Sequence, residues 1–260
     1  MQQDAATTQT APATGFSGAS DADALSQMGF SHLFHAMTSK PGEFAVSWIV
    51  LGALVIMSVG SWYYTIVNLL KNSVIRSRAE RVIRTFWDTP NPAESIRAME
   101  EQPPNEPFSK IALDAAQAAH HQAQGNKLTE SLNRSEFIDR ALRQAVTRES
   151  SKLENGLTWL ATTGSTAPFV GLLGTVWGIY GALIRIGASG QASIDAVAGP
   201  VGEALIMTAL GLFVAIPAVV AFNTFVRINR DTNAKFDTFA HDLHDFFATG
   251  SRVGDVATKR

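Results

Sequence analysis

The sequence predicts an all-α membrane protein, with three transmembrane helices and long cytoplasmic helical extensions. Three observations lead there. First, Phe44–Leu70, Asn155–Ile184 and Ala204–Val226 contain no Asp, Glu, Lys or Arg. About 20 predominantly apolar residues cross the hydrocarbon core, so each run is long enough to span. Second, the charges that remain are sorted by sign around the first run. Third, no stretch of useful length alternates apolar and polar residues as a half-buried strand does. The alternative, three helices buried in a soluble core, asks too much of 260 residues.

Composition narrows the function classes. The chain is 46% hydrophobic and 17% charged, with a formal net charge of −2. It is neither a disordered chain nor a basic nucleic-acid binder. With no cysteine, a disulfide scaffold, a Cys-ligated metal and thiol catalysis are excluded. No HExxH, P-loop or GxSxG motif occurs, so no enzyme is indicated. His120-His121 are adjacent, and neighbouring helical positions diverge by about 100°, unlike the i,i+4 pairs that hold metals. We expect no cofactor and no metal.

Residues 1–42 form an external tail. Its first part, through Ser20, is low in complexity. Leu25, Met28, Leu33 and Met37, with Phe30 and Phe34, recur at helical spacing and suggest a short amphipathic helix on the outer membrane surface. A weakly ordered linker is the other reading. The first basic residue is Lys40, so no signal peptide is visible, and a cleaved signal is expected in the natural precursor.

The first transmembrane helix covers 43–70, with Trp48 at one end and Trp62, Tyr63 and Tyr64 towards the other, where aromatic belts form. Asp4, Asp21, Asp23 and Glu43 precede it against Lys40 alone. Lys71, Arg76, Arg78, Arg81 and Arg84 follow it, opposed by Glu80. Short flanks rich in Lys and Arg stay in the cytoplasm, which puts the N-terminus outside and the C-terminus inside. Residues 71–154 then form a cytoplasmic helical domain. Its breaks are Asp88-Thr89-Pro90-Asn91-Pro92 and Gln102-Pro103-Pro104-Asn105-Glu106-Pro107, because proline cannot continue a helix.

The second transmembrane helix covers 155–186, a short external turn 187–195, and the third helix 196–226. The tail 227–260 returns to the cytoplasm. There Phe236, Phe239, Leu243, Phe246 and Phe247 should pack on the cytoplasmic helices. Gly171, Gly174, Gly178 and Gly181 lie on one face of the second helix. Ala204, Thr208, Gly211, Ala215 and Ala218 form a matching stripe on the third. Small residues let membrane helices approach closely. We expect these helices to form the packed inner layer of an assembly; hairpin packing within one chain explains part of the pattern. Pro168 and Pro217 each remove an intrahelical hydrogen bond and favour kinks.

Polar groups inside the spans are the candidate site. Thr175 lies at the middle of the second helix, with Glu203 and Thr208 on the third. A carboxylate at membrane depth costs several kcal/mol unless protonated, paired or wetted, so Glu203 is the anomaly. Its other reading is a residue at the external interface.

The segment Ala167-Pro168-Phe169-Val170-Gly171-Leu172-Leu173-Gly174-Thr175-Val176-Trp177-Gly178-Ile179 resembles the second-span signature of the MotA/TolQ/ExbB proton-channel family. The segment Gly199-Pro200-Val201-Gly202-Glu203-Ala204-Leu205-Ile206-Met207-Thr208-Ala209-Leu210-Gly211-Leu212 resembles its third-span signature. Ala215-Ile216-Pro217-Ala218-Val219-Val220-Ala221 completes it, and Gly202 stands where the family usually has Ile. The likeness is greatest to the ExbB branch. It implies a homopentamer in the bacterial inner membrane, its second and third spans lining a pore. It implies the partner ExbD, whose helices occupy the pore and carry an essential Asp. It implies coupling of the proton gradient to TonB for import of siderophores, haem or cobalamin. By motif position, Thr175, Glu203 and Thr208 carry the proton pathway. A TolQ-like motor of the Tol-Pal envelope system and a passive scaffold for ExbD and TonB are the competing readings.

Overall fold

A computed structural model describes residues 45–89, 91–123, 134–190 and 194–249. The amphipathic segment between Leu25 and Met37 lies outside the described residues. All regular structure among the described residues is helical: α1 (Ala45–Asp88), α2 (Pro92–Glu100), α3 (Pro107–Ala123), α4 (Arg134–Leu153), α5 (Leu157–Ser189) and α6 (Ile194–Thr249). Three of them, α1, α5 and α6, are long and apolar enough to cross a membrane.

Local chemistry sets the helix ends. Asn91 caps α2: its side-chain oxygen accepts from the Ala93 N–H at 3.1 Å, and Pro92 occupies the first turn, where no N–H is needed. The Glu106 carboxylate does the same for α3, accepting from the Ser109 N–H at 2.6 Å. Gly190 closes α5 with φ 66°, its N–H donating to the Ile186 carbonyl at 3.1 Å. The extramembrane helix α4 does not run directly into α5. The chain breaks over residues 154–156, where Gly156 takes φ +83° beneath the Tyr64 ring. A Cβ there would need both the left-handed backbone and space the ring already fills.

The helices divide between two regions. At 56 residues, α6 is about 84 Å long at 1.5 Å per residue, far more than the ~30 Å hydrocarbon core. Its apolar first half packs with α1 and α5, and its second half stands in the extramembrane bundle. In that bundle Phe236, Phe239 and Leu243 are buried against Phe86, Met99, Phe108, Ile111, Ile138 and Leu142. Phe246 and Phe247 pack on the edge of this core. The aromatic rings meet edge to face, Phe108 with Phe236 at 4.9 Å and Phe86 with Phe239 at 5.9 Å between centroids. The helical spacing of the tail aromatics thus closes one hydrophobic core over α1 to α4.

Between the two regions the open end of α4 is held by its neighbours. The last carbonyls of a helix have no partner within it. Here Lys71 Nζ donates to the Lys152 carbonyl, Asn229 Nδ2 to that of Leu153 at 2.8 Å, and Asn68 Nδ2 to that of Asn155 at 3.1 Å. Two donors come from α1 and one from α6.

Candidate functional site

The two stripes of small residues face each other in one chain. α5 and α6 run antiparallel, and the seam is tightest at Gly171 and Gly211. A Cβ on Gly171 would lie 2.5 Å from the Met207 carbonyl oxygen, and one on Gly211 would lie 2.6 Å from that of Ala167. Only glycine admits an approach this close. Ala204 and Ala215 are buried on the α6 side. The rest of the α5 stripe is less crowded. A Cβ on Gly174 would touch Val50 and Met207 at 3.0 and 3.1 Å, and one on Gly178 would touch Ala204 Cβ at 3.0 Å. For Gly181 the nearest atom is Arg185 Nη1 at 3.8 Å, so that position has room for a side chain. Hairpin packing within one chain therefore accounts for the stripe from Gly171 to Gly178 and leaves Gly181 outside it.

Thr175 and Thr208 meet in this seam, one helical turn from the Gly171–Gly211 crossing. Thr175 is 6% exposed, and its hydroxyl has three neighbours. They are the Gly171 carbonyl at 3.2 Å, the Ala204 carbonyl at 3.1 Å and Thr208 Oγ1 at 2.5 Å. A hydroxyl has one hydrogen to donate and two lone pairs to accept with. Both carbonyls can only accept, so the Thr175 hydrogen is best placed on one of them. Thr175 then accepts from Thr208. A threonine in a helix ordinarily turns its hydroxyl onto its own i−4 carbonyl. For Thr208 that carbonyl is Ala204, which Thr175 also reaches at 3.1 Å. The Thr208 hydroxyl can thus donate inward to Thr175, or turn away and leave Thr175 satisfied by backbone alone.

Glu203 belongs to the same helix, one residue before Ala204; its side chain lies outside the described part of the structure. The structure thus brings Thr175 and Thr208 together and places Glu203 by backbone alone. Thr162, Ser165 and Thr166 nearby form local bonds: Ser165 and Thr166 both donate to the Thr162 carbonyl, at 3.1 and 2.7 Å.

Away from the seam the spanning helices are covered in exposed apolar side chains. Phe169, Leu173, Val176 and Tyr180 on α5, and Leu205, Phe213, Ile216 and Val220 on α6, are all more than half exposed. Surfaces of this kind belong against lipid or other chains, not water.

Sequence reasoning missed the residues that hold the membrane–bundle junction. Asn68, Lys71 and Asn229 carry it, with Tyr64 over Gly156 and Trp159 against Gly60, where a Cβ would lie 2.5 Å from the indole. One signal was present: Asn68 is the one amide side chain in the charge-free run Phe44–Leu70.

Comparison with known proteins agrees with the architecture. The profile of the MotA/TolQ/ExbB proton channel family matches residues 104–238, from α3 into the extramembrane part of α6. The chain is 70% identical over 240 residues to the "Biopolymer transport protein ExbB" of Xanthomonas campestris pv. campestris, covering 91% of this chain and 95% of that one. It is 40% identical over 196 residues to the protein of the same name in Neisseria meningitidis, covering 74% of this chain and 87% of that one. With the "Tol-Pal system protein TolQ" of Pseudomonas aeruginosa it shares 48% identity over 108 residues, 42% of this chain and 47% of that one. Three apolar helices, the glycine seam and its hydroxyl pair thus sit in a sequence whose most extensive matches are to proteins named for biopolymer transport, and the chain is a membrane protein belonging to the MotA/TolQ/ExbB proton channel family.

Proposed function

We propose that this chain is an ExbB-type channel and motor subunit which, with ExbD, couples the inner-membrane proton gradient to TonB. The energised process is import of siderophores, haem or cobalamin across the outer membrane. The observation that carries the mechanism is the Thr175–Thr208 hydroxyl pair, with Thr175 buried in the seam, Thr208 half-buried beside it, and two hydrogen-bond arrangements open to them. Near-complete coverage of both chains favours ExbB over TolQ, whose similarity spans less than half of this chain.

In this reading several copies, a pentamer by family resemblance, surround a pore occupied by ExbD helices. The exposed apolar faces of α5 and α6 supply the contacts between copies and with lipid. The essential Asp of ExbD meets the pore wall beside Thr208. While charged, it accepts a hydrogen bond from Thr208, and Thr175 keeps only its bond to a backbone carbonyl. Once protonated, it no longer needs a donor and can pass an apolar stretch, so protonation gates the step. Thr208 then donates its hydrogen bond to Thr175 again. Glu203 passes protons or cations from the external side. A potential of 100 mV supplies about 2.3 kcal/mol per charge, enough to bias each step.

The test is complementation of TonB-dependent iron uptake. Thr208→Val and Glu203→Ala should each abolish uptake while the purified oligomer keeps its mass. Normal uptake in both would remove the mechanism. A passive scaffold would tolerate Glu203→Gln, whereas the motor would not. A TolQ-type role would appear instead as rescue of detergent sensitivity without rescue of iron uptake.

A further inference from the structure

A cavity of about 530 Å³ opens where the apolar part of α1 ends. Its walls are Leu70, Lys71 and Val74 of α1, Lys110 of α3, and Glu149 and Lys152 of α4. Three lysines and one glutamate therefore line it. That carboxylate is already committed: the Glu149 side chain is 3% exposed and pairs with Lys152 at 2.6 Å. Lys71 gives one hydrogen to the Lys152 carbonyl and has two left. Lys110 has no ion-pair partner among the described residues. The cavity thus holds a surplus of positive charge and unused N–H donors.

Its position selects the ligand. The charge-free run ends at Leu70, so the cavity stands at headgroup level. Leu70 and Val74 on its rim are 63% and 46% exposed, and they continue the exposed apolar flank of α1 through Ile66, Tyr63 and Val59. A ligand here meets cations at one end and an apolar wall at the other. An anionic phospholipid has this form: a phosphate with two acceptor oxygens above two acyl chains.

We propose that this cavity binds the headgroup of an anionic membrane phospholipid, its phosphate between Lys71, Lys110 and Lys152 and its chains along Val59, Ile66 and Leu70. Each basic residue near an anionic lipid surface is worth about fivefold in binding. Lys110 makes no bond that a substitution would break within the fold. Loss of its charge in Lys110→Gln should weaken binding about fivefold, and reversal in Lys110→Glu roughly 25-fold.

The experiment uses the full chain purified in an uncharged detergent. Phosphatidylglycerol, phosphatidylcholine and inorganic phosphate are titrated separately, and bound lipid is counted by native mass spectrometry. Saturable retention of phosphatidylglycerol, graded loss in the two Lys110 variants and unchanged binding in Arg81→Glu would support the site. Arg81 is an exposed cation of α1 outside the cavity. Equal retention of phosphatidylcholine, absence of binding, or unchanged binding in Lys110→Glu would overturn it. Displacement by inorganic phosphate at matched concentration would also overturn it, by showing a site for the free ion. If Lys110→Glu fails to fold, Lys110→Gln and the comparison of lipids on the natural chain decide the matter.

Discussion

Gly171→Ala tests whether the α5–α6 seam controls the hydroxyl pair. The new Cβ would stand 2.5 Å from the Met207 carbonyl oxygen, 3.1 Å from Gly211 Cα and 3.2 Å from Thr208 Cα. A comfortable carbon–oxygen contact is about 3.3–3.6 Å, so the backbones must part by roughly 1 Å. Backbone cannot rotate away as a side chain can. Overpacking of this kind costs about 1–3 kcal/mol. The same movement carries Thr175 Oγ1 from 3.1 Å to about 4 Å from the Ala204 carbonyl, beyond hydrogen-bonding distance. Each interhelical bond lost adds about 0.6 kcal/mol. Against this, alanine gains about 0.5–1 kcal/mol over glycine in a helix. The net expectation is a loss of roughly 1–3 kcal/mol and of proton-driven uptake. Gly181→Ala is the internal comparison. Its nearest neighbour would be Arg185 Nη1 at 3.8 Å, so only the helix-forming gain remains. Thermal unfolding in detergent and uptake by complementation should therefore separate the two variants. Gly171→Ala as stable and active as Gly181→Ala would refute the reasoning.

Other perturbations probe the fold outside the seam. Burial, assisted by the nearby Glu149 carboxylate, raises the pKa of Glu106 above its ordinary 4.5, although its Ser109 bonds oppose the shift. A carboxyl with a raised folded pKa contributes stability that is full below its unfolded pKa and lost as pH rises through the folded one. Glu106→Gln keeps an acceptor for the Ser109 N–H, so it should flatten the pH dependence of the melting temperature and raise it near neutrality. Phe236→Ala removes a fully buried ring and should destabilise the extramembrane bundle by about 3–5 kcal/mol, read as earlier chemical denaturation. Asn229→Ala leaves the Leu153 carbonyl without its donor at a cost of about 1–3 kcal/mol. Limited proteolysis should then cut first at residues 154–156.

Much of the fold was legible because its signals are one-dimensional. Charge in hydrocarbon is expensive, so three charge-free runs mark three spans without reference to anything distant in the chain. Proline lacks an N–H and fits best in the first turn of a helix, so Pro92 and Pro107 mark where α2 and α3 begin. The 3.6-residue period placed Phe236, Phe239 and Leu243 on one face, and that face is the buried one. Thr175 and Thr208 stood out for the same reason, as polar side chains where apolar ones are the rule.

What remained hidden concerns pairs rather than positions. Periodicity tells which residues share a face, but not which face of another helix it meets or at what height. The sequence alone therefore determined two small-residue stripes, while the tertiary structure decided that they pack on each other, with Gly171 opposite Met207 and Thr175 reaching Ala204 and Thr208. It also decided that Gly181 has room beside it. The junction is the clearest case. Asn68, Lys71 and Asn229 cap carbonyls 87, 81 and 76 residues away. An unpaired helix end must find a donor, but which side chain arrives depends on how three helices cross, and that is set only when they pack.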